Sequence, residues 1–530
     1  MPTLNWIGKD KVINHHNDVP YKVLERKYSY DEDGVHKDDI HSENMIIHGD
    51  NLEALKSLLP QYEGKIKCIY IDPPYNTGNE GWIYNDNVND PKIKKWLGEV
   101  VGKEGEDLSR HDKWLCMMYP RLVLLKKLLH PTQGVIFISI DENEFANLKL
   151  MCNEIFNISN FVISIAWQKR YSRENRGAIG DSHEYILIYA TNPDMFKETR
   201  NYLPLTEKQL KAYSNPDNDP RGLWQSVSLL AQGYRPNQMY EIVAPNGKVH
   251  LPPEGNCWKV VQSEYERALA DGRVTFGSDG NGVPRRKQFL NESKGLVPWS
   301  WWPFDEVGHT DEAKKEMKAI LGNITAFDTP KPVRLLERIV HIATKKDSVI
   351  LDSFAGSGTT AHAVLNMNKK DGGNRKFILV EMGDYADTIT AERVKRIIDG
   401  YGEGNNAVDG TGGNFSYYEL GSPLFLQDGT INNDIDTAEI RKYIWYTETN
   451  GLEYAENEQE KYYLGSHNDT AYYFYYEKDK ATILDYSFLA TVNVKNQAYI
   501  IYADACALSD IDLQKWNITF KKIPRDIEHI

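Results

Sequence analysis

The stretch IYIDPPYNTGN, residues 69–79, runs an apolar strand directly into an acid and two prolines. The apolar run 69–71 precedes Asp72, and Pro73 and Pro74 then stiffen the backbone and remove two N–H donors. A buried strand that ends on a carboxylate predicts a polar function at the carboxyl end of that strand. Taken alone, Asp72 is also typical of a helix N-cap or a turn.

The segments around this stretch alternate between apolar runs and helical patterns. The predicted strands of residues 44–199 are NMIIHGD, IKCIYID, GVIFISID, NFVISIAWQKR and EYILIYA. The same rhythm returns in residues 326–400, with the strands SVILDSF and KFILVEM. Strands that alternate with helices predict an α/β fold with a mostly parallel sheet. The fold is therefore predicted in two pieces.

The residues outside these two pieces differ in composition. Residues 200–325 are rich in Gly, Pro, Asn and Asp and lack the helical rhythm, which predicts an inserted domain. Residues 1–43 form a polar N-terminal extension, and 401–414 form a Gly/Asn-rich linker. Residues 415–530 hold 14 of the 32 tyrosines in alternating runs, which predicts a β-rich C-terminal domain.

A second motif, ILDSFAGSGTTAHAV at 350–364, combines a strand, a glycine turn and a helix. Gly356 and Gly358 allow a tight turn and a close approach of a ligand to the N–H groups that begin the helix. The turn is neither a G-x-G-x-x-G fingerprint nor a Walker loop. The next strand ends at Glu381, where an acid can bind ribose hydroxyls. Together these features favour an adenosine-containing cofactor over a plain βα connection.

DPPY together with FAGSG resembles the amino-methyltransferases that use S-adenosylmethionine. The motif order, with DPPY first and a long insert before the glycine turn, is similar to that of the β class of DNA methyltransferases. The further stretches GVIFISIDENE, HEYILIYA and TPKPVRLLERIV resemble the modification subunits of type III restriction–modification systems. The resemblance covers residues 44 to about 400. It implies a circularly permuted, Rossmann-like methyltransferase fold whose insert is a target-recognition domain.

The resemblance also implies the reaction, which is methyl transfer to the N6 amine of an adenine. Asp72 and the Pro73 carbonyl would accept the two amine protons, and the rigid Pro73–Pro74 unit would fix their direction. Tyr75 would stack on the base. A base inside a duplex cannot reach such a pocket, so base flipping is implied.

The cofactor residues follow from the same resemblance. Phe354, Ala355, Gly356, Ser357 and Gly358 would lie beside the methionine part. Asp352 would orient the loop or bind the methionine amine, and Glu381 would bind the ribose. Asp50 would lie near the adenine ring, and Thr329 and Lys331 precede a helix that helps to hold the methionine carboxylate. Asp50 and Lys331 could equally cap a helix or lie at the surface.

Two basic clusters are candidates for contacts with double-stranded DNA. The loop WQKRYSRENRG contributes Lys169, Arg170, Arg173 and Arg176, and the insert contributes Arg285, Arg286 and Lys287. The first cluster follows a strand near the catalytic edge and suits phosphate contacts, although a solvated loop has the same composition. No base contact is assigned to either cluster.

The net charge of −14 argues against DNA binding by bulk charge but allows a local basic groove. Residues 415–530 carry 19 acidic and 10 basic residues, so they are unsuited to grip DNA. They are predicted to bind a partner or a second copy of the chain, or to be an accessory domain without a partner. Five scattered cysteines indicate free thiols in a reducing cytoplasm rather than a metal site. Apolar runs are too short for a membrane span.

Two alternatives to adenine methylation remain open. The amine could be cytosine N4, since its geometry is analogous. The chain could serve mainly as a DNA-specificity subunit for a partner nuclease. No G-x-x-x-x-G-K-[ST] motif occurs, so cleavage would need a separate restriction subunit with helicase and nuclease activity. The family's tendency to dimerise predicts a homodimer.

Overall fold

The computed structural model describes residues 3–77, 110–172, 178–322, 329–449, 452, 454–455 and 460–528. The chain divides into two compact units. The larger unit comprises Met1–Asn201 and Trp299–Ile530, and the smaller one comprises Tyr202–Pro298. Arg173 and Arg176, two of the predicted DNA-binding residues, lie outside the described residues.

Within the described residues, the larger unit is built on an eleven-stranded sheet. Its strands are β1 (Lys22–Asp31), β2 (Gly34–His36), β3 (Met45–His48), β4 (Cys68–Ile71), β5 (Val135–Ile140), β6 (Phe161–Gln168), β7 (His183–Ala190), β8 (Trp301–Trp302), β9 (Val349–Asp352), β10 (Lys376–Glu381) and β11 (Phe415–Pro423). Their order across the sheet is β8-β6-β7-β5-β4-β9-β10-β3-β11-β1-β2.

The centre of this sheet is parallel and contains a topological switch point. Strands β5, β4, β9, β10 and β3 run in the same direction, whereas β7 is antiparallel to β5 and β6. The chain moves outward in one direction from β4 to β5 and in the opposite direction from β9 to β10. Sheets of this kind bind ligands outside the carboxyl ends of the strands where the direction reverses. The predicted α/β fold with its two halves in permuted order is confirmed.

The helices follow the strands because their apolar positions recur at helical spacing. The main helices are α1 (Asn51–Tyr62), α2 (Arg110–Leu128), α3 (Phe145–Cys152), α4 (Thr310–Leu321), α5 (Val333–Ala343), α6 (Thr359–Asp371), α7 (Glu392–Asp399) and α8 (Thr437–Thr449). Short helices of this unit span Lys9–Val12, His15–Asp18, Pro193–Thr199, Phe304–Val307, Tyr486–Leu489 and Asp510–Lys515. None of the helices in the described parts combines the length and apolarity that a membrane crossing requires.

Both faces of the central strands are buried, which explains their nearly continuous apolar sequences. Ile69 and Ile136 pack in one core cluster with residues of α1, α2 and α3, such as Leu55 and Leu125. The alternate side chain Phe137 points to the opposite face and is also fully buried. The carboxyl edge is therefore the part of these strands that can carry polar groups.

The eleven-stranded sheet includes a strand from the residues that were predicted to belong to the C-terminal domain. Strand β11 lies where the C-terminal domain was predicted to begin, but it pairs in parallel with β3 and antiparallel with β1. The predicted linker contains a small pair of strands, Gly400–Tyr401 and Val408–Asp409. The alternating sequence of β11 is what allows it to join the sheet, since Phe415 and Tyr417 are buried while Glu419 reaches the surface.

The remaining C-terminal residues form a second sheet with helices around it. Its strands are β12 (Tyr463–His467), β13 (Thr470–Phe474), β14 (Ala498–Ala503) and β15 (Ile518–Lys522), in that order across the sheet. A further strand pair is Ile483–Leu484 with Ala505–Cys506. Tyr472, Tyr473 and Tyr502 are buried between the sheet and its neighbours. Many of the tyrosines that mark this region in the sequence therefore build its core.

The smaller unit is made of short strands, as the composition of the insert predicts. Its strands are Trp224–Ser228, Leu230–Gln232, Ile242–Val243, Val249–His250, Asn256–Trp258, Val274–Thr275 and Arg285–Phe289, and its helices are Glu207–Leu210 and Gln262–Ala270. The compact unit is narrower than the predicted insert. Residues 299–322 belong to the larger unit because β8 hydrogen-bonds to β6 and Trp302 is buried there.

Candidate active site

The central parallel strands deliver acidic residues to one edge of the sheet. These residues are Asp50 after β3, Asp72 after β4, Asp141 after β5, Asp352 at the end of β9 and Glu381 at the end of β10. Since β4 and β9 are neighbours at the switch point, Asp72 and Asp352 lie on the two sides of the crevice.

A cavity of about 640 Å³ opens at this edge within the larger unit. Its volume lies in the range of about 300–1,000 Å³ that is usual for small-molecule and cofactor sites. The predicted site residues that line it are Asp72, Pro73, Pro74, Tyr75, Thr329, Lys331, Asp352, Phe354, Ala355, Gly356, Ser357 and Glu381. The structure thus brings both predicted halves into one cavity. Asp50 and Gly358 are not among the lining residues.

The Asp72 carboxylate is held by two neighbouring side chains. Lys331 Nζ donates to both oxygens, at 2.8 Å and 2.6 Å, and the Tyr75 hydroxyl lies 2.9 Å from Oδ1. Burial raises the pKa of Asp72 above its ordinary value, while the Lys331 ammonium opposes this shift. Lys331 was predicted beside the methionine carboxylate, but its side chain lies against Asp72 in the structure.

The carbonyl groups of Pro73 and Pro74 differ in their hydrogen bonding. The Pro74 carbonyl accepts a hydrogen bond from Trp114 Nε1 at 2.6 Å, which anchors the loop to α2. The Pro73 carbonyl has no hydrogen-bond donor among the residues that the structure describes. Pro73 and Asp72 therefore present the acceptors of this loop to the cavity.

Asn76 holds the same loop in shape. It adopts a positive φ of 58° and is fully buried. Its Nδ2 donates to the Arg110 carbonyl at 3.1 Å and to the buried Glu144 carboxylate. Asn tolerates this left-handed conformation better than most residues do. The sequence IDPPYN contained this signal, but it was not used in the prediction.

Three acidic residues of the cavity, Asp141, Glu184 and Asp311, escaped the sequence-based prediction. Asp141 follows the apolar strand VIFISI, so the pattern that singled out Asp72 would have found it. Glu184 is the second residue of the antiparallel strand β7, and its Oε2 lies 3.0 Å from the Tyr75 hydroxyl. A residue at the start of an apolar run gives no such signal, because its place at this edge depends on the antiparallel pairing of β7.

The glycine turn is locked by the carboxylate of Glu381. The N–H groups of Gly356 and Gly383 donate to its two oxygens at 2.7 Å and 2.8 Å. Gly356 and Gly358 have φ values of 52° and 77°, where L side chains are strained. A Cβ on Gly358 would also come within 3.2 Å of the Thr390 carbonyl. Glu381 therefore shapes the turn and faces the cavity from its far side.

Behind the turn, a buried arginine fixes the start of α6. Arg393 donates to Ser357 Oγ at 3.0 Å, to Thr359 Oγ1 at 2.8 Å and to His362 Nδ1 at 3.1 Å. Burial and the Arg393 charge lower the pKa of His362 well below its ordinary value, so its imidazole is neutral and can accept this bond. The predicted residue Ser357 is thus also a structural link to α7.

Asp352 is buried with its carboxyl group hydrogen-bonded on both oxygens. The Phe354 N–H lies 3.1 Å from Oδ1, and Thr360 Oγ1 lies 2.5 Å from Oδ2. Burial raises the pKa of Asp352 to about 7, because its hydrogen bonds do not replace the lost hydration. Asp352 can thus hold the loop through these two contacts in either protonation state.

We expect replacement of Asp352 by asparagine to change how stability depends on pH. A carboxyl group with a raised pKa in the folded state stabilises the fold below its unfolded pKa, near 3.8, and this contribution is lost as the pH rises through 7. The free energy of unfolding of the wild type should therefore fall relative to Asp352→Asn by on the order of 4 kcal/mol across this range. Thermal unfolding of the ligand-free protein at a series of pH values measures this difference. Parallel curves would contradict the assignment.

Asp50 has a structural role in the described residues. Its Oδ1 accepts from the N–H of Leu52 at 2.8 Å and caps α1. The buried Arg121 pairs with it at 3.3 Å and also donates to Asn51, whose Nδ2 reaches the Ser353 carbonyl. Asn51 lines the cavity and Asp50 does not. The helix-cap alternative for Asp50 therefore describes its observed contacts.

The first basic cluster is only partly available for DNA. Lys169 and Arg170 line the cavity. Lys169 Nζ is already paired with Asp181 at 2.9 Å and with Glu184 at 3.3 Å. Arg170 is exposed at the mouth of the cavity, where it can reach a phosphate.

The second basic cluster contains one buried lysine and two exposed arginines. Lys287 is paired with Asp217 and lies 3.1 Å from Asp219. The exposed Arg285 donates to Ser226 Oγ at 2.6 Å, and Arg286 is exposed on the same strand. The alternation of strand Arg285–Phe289 places Arg286 on the face opposite the inward-pointing Lys287 and Phe289, whereas Arg285, on the same face as Lys287, is exposed at the start of the strand.

The doubly wound sheet, with an acid-proline loop and a glycine turn at its switch point, defines an α/β protein in which both motifs line one cavity. The family model for DNA methylases (N6_N4_Mtase) matches residues 66–392. The chain belongs to this DNA methylase family.

The chain is also similar in sequence to individual proteins of known type. The type III restriction–modification enzyme StyLTI Mod subunit of Salmonella typhimurium is 35% identical over 79% of this chain and 66% of its own length. The EcoPI Mod subunit of Escherichia phage P1 is 33% identical over 72% of this chain and 63% of its own length. The chain spans just under two thirds of the length of these relatives. The solved PvuII DNA methyltransferase (cytosine-N4-specific) is 14% identical over 66% of this chain and 86% of that chain, with a TM-score of 0.35.

Proposed function

We propose that this chain transfers a methyl group from S-adenosylmethionine to the N6 amine of an adenine flipped out of double-stranded DNA. It would do so as the modification and recognition subunit of a type III restriction–modification system. One observation carries the proposal: the DPPY loop and the glycine turn face each other in one cavity at the switch point of the sheet. The identity to two Mod subunits supports the choice of system.

The acceptors of the DPPY loop suit an aromatic amine. The lone pair of such an amine is delocalised into the ring and must be localised on nitrogen before it can react. The Asp72 carboxylate and the Pro73 carbonyl would accept its two protons, and the Lys331 ammonium would keep Asp72 ionised. Because Trp114 and Asn76 fix the loop beforehand, these acceptors are in place before charge develops on the nitrogen. Tyr75 would pack on the base.

The cavity also fits the methyl donor. S-adenosylmethionine supplies an electrophilic methyl group when it is bound. The glycine turn would contact its methionine part, Glu381 its ribose hydroxyls, and Asp352 its amine or the loop itself. The buried Ser353 hydroxyl has no hydrogen-bond partner in the described chain, so a polar ligand group could satisfy it.

The test is incubation of the protein with labelled S-adenosylmethionine and mixed-sequence DNA, followed by nucleoside analysis. N6-methyladenine is the expected product. N4-methylcytosine would overturn the choice of base. Cofactor binding without any transfer would favour a subunit that only supplies specificity.

The smaller unit is proposed as the target-recognition domain, and its basic strand offers a matched pair of variants. Replacing the exposed Arg286 by glutamine should weaken DNA binding and lower the slope of log affinity against log salt by about one. Replacing the buried Lys287 by methionine should instead lower the thermal stability, because Asp217 and Asp219 lose their shared partner. Fluorescence anisotropy at several salt concentrations and thermal unfolding separate the two effects. Equal effects on DNA affinity would contradict this distinction.

The acidic C-terminal residues are proposed to bind a restriction subunit or a second copy of the chain. Their charge supports a protein partner over DNA. We place the protein in the cytoplasm, where its DNA substrate lies. Deletion of residues 415–530 would also remove β11 from the main sheet, so a shorter deletion that begins after β11 is the better test. The truncated protein should assemble with fewer chains or capture less restriction subunit. An unchanged number of chains per assembly together with unchanged capture of a restriction subunit would overturn both roles.

A further inference from the structure

Glu184 lies in the candidate active site although it was not among the predicted site residues when its stretch HEYILIYA was compared. It is the second residue of β7, and the antiparallel direction of this strand brings its beginning to the edge where β4 and β5 end. Its side chain is only 12% exposed. A buried carboxylate so close to the Asp72 carboxylate needs neighbours that compensate its charge.

Several elements surround Glu184 with titratable groups. These are Asp72, Tyr75, Asp141, Lys169, Asp181 and Lys331. Lys169 Nζ lies 3.3 Å from Oε1, and Lys331 Nζ lies 3.8 Å from Oε2. The Tyr70 hydroxyl on β4 is buried nearby and shares a hydrogen bond with Ser139. Two cations thus stand between the carboxylates of Asp72, Glu184 and Asp181.

The Tyr75 hydroxyl connects the two innermost carboxyl groups. It lies 2.9 Å from Asp72 Oδ1 and 3.0 Å from Glu184 Oε2. A phenol carries one proton and can donate only one full hydrogen bond, so the two carboxylates compete for it. When one carboxyl group is protonated, it can donate to the Tyr75 oxygen while Tyr75 donates to the other. The three groups therefore form a continuous hydrogen-bonded chain along which a proton can move.

The proposed reaction requires such a path, and this inference rests on that proposed function. The amine nitrogen would spend its lone pair on the new N–C bond while the bond between the methyl group and the donor sulfur breaks and its electron pair stays on sulfur. The nitrogen is then positively charged until one N–H bond breaks and that bond's electron pair returns to nitrogen. Asp72 is the nearest acceptor for that proton. Its charge is already balanced by Lys331, so a proton retained there would remove the nearest counter-charge of the buried Lys331 ammonium and leave it the more distant Glu184 carboxylate at 3.8 Å.

We propose that Tyr75 relays the surplus proton from Asp72 to Glu184. The proton leaves the amine for the Asp72 carboxylate and then moves to the Tyr75 oxygen. At the same time the original phenol proton moves to Glu184 Oε2. Asp72 and Tyr75 return to their starting states, the product amine becomes neutral, and Glu184 becomes a neutral acid.

The relay is tested with Glu184→Gln, Tyr75→Phe and the double variant. The glutamine side chain can still accept a hydrogen bond from Tyr75 but cannot take a proton, and the phenylalanine side chain keeps the ring but lacks the hydroxyl. Single-turnover methyl transfer, measured over a series of pH values, should fall roughly 100-fold in each single variant. The double variant should be no slower than the slower single variant, because both changes break the same path.

The control is Glu142→Gln, since Glu142 is an exposed carboxylate just beyond β5 that does not line the cavity. Its rate and pH profile should match those of the wild type. Wild-type rates for Glu184→Gln, additive losses in the double variant, or a loss confined to DNA or cofactor affinity would each overturn the relay. A wild-type protein that binds cofactor and DNA but never methylates adenine would instead overturn the proposed function.

Discussion

Replacement of Asp72 by alanine is expected to lower the single-turnover rate of methyl transfer to DNA by at least about a thousandfold. The change removes the carboxylate that is proposed to accept an amine proton, and it removes the counter-charge of Lys331. It leaves the glycine turn and the basic loop untouched, so cofactor and DNA affinity should remain as in the wild type. Rapid-quench transfer from labelled cofactor, together with equilibrium binding of both ligands, measures the two effects separately.

The isosteric variant Asp72→Asn refines this experiment. Its amide oxygen remains an acceptor, but it lacks the charge that pairs with Lys331, so its rate should lie between those of the wild type and the alanine variant. The exposed Glu142→Gln variant again serves as the control. Transfer by Asp72→Ala at more than a tenth of the wild-type rate would remove Asp72 from the catalytic role.

Replacement of Arg393 by leucine is expected to lower the free energy of unfolding by about 3 kcal/mol or more. Arg393 is 1% exposed and supplies the hydrogen bonds of Ser357, Thr359 and His362. Leucine fills most of the volume but leaves these buried groups, and the nearby Glu316, without their donor. Because Ser357 and Thr359 hold the start of α6, cofactor affinity should fall as well. Chemical denaturation and calorimetric cofactor titration measure the two quantities.

A matched control lies one turn along the same helix. Arg396 is 36% exposed, pairs with Glu392 at 2.8 Å and donates to the Ile320 carbonyl. Arg396→Leu should cost no more than about 1 kcal/mol, since exposed pairs contribute little. Equal losses in the two variants would show that the buried network behind the glycine turn has no special role.

The catalytic half and the cofactor half could be predicted from the sequence because local patterns carry them. Apolar runs that end on an acid mark strands whose carboxyl ends face a ligand, and the glycine turn needs residues without a Cβ. Both signals depend only on near neighbours in the chain. Asp141 belongs to the same class and was missed only because its strand was not followed by a distinctive turn.

Residues whose roles depend on distant partners could not be assigned in this way. Lys331 was expected near the methionine carboxylate, but it lies 259 positions from Asp72 in the chain and pairs with it in the fold. Lys287 was expected to contact DNA, yet it is buried against Asp217 and Asp219. The sequence shows that a residue is charged and so what kind of group it can bind. It does not show which opposite charge pairs with that residue in the fold.

The sequence by itself determined the α/β architecture, the permuted order of the two halves and the residues of the DPPY loop and the glycine turn. These follow from hydrophobic periodicity and from the backbone limits of proline and glycine, which act over a few residues. Only the tertiary structure decided that Glu184 and Lys331 meet at Asp72, that β11 joins the main sheet and that Arg393 supports the turn from behind. Those contacts join residues that lie 36 or more positions apart in the chain, and the folded chain alone sets such distances.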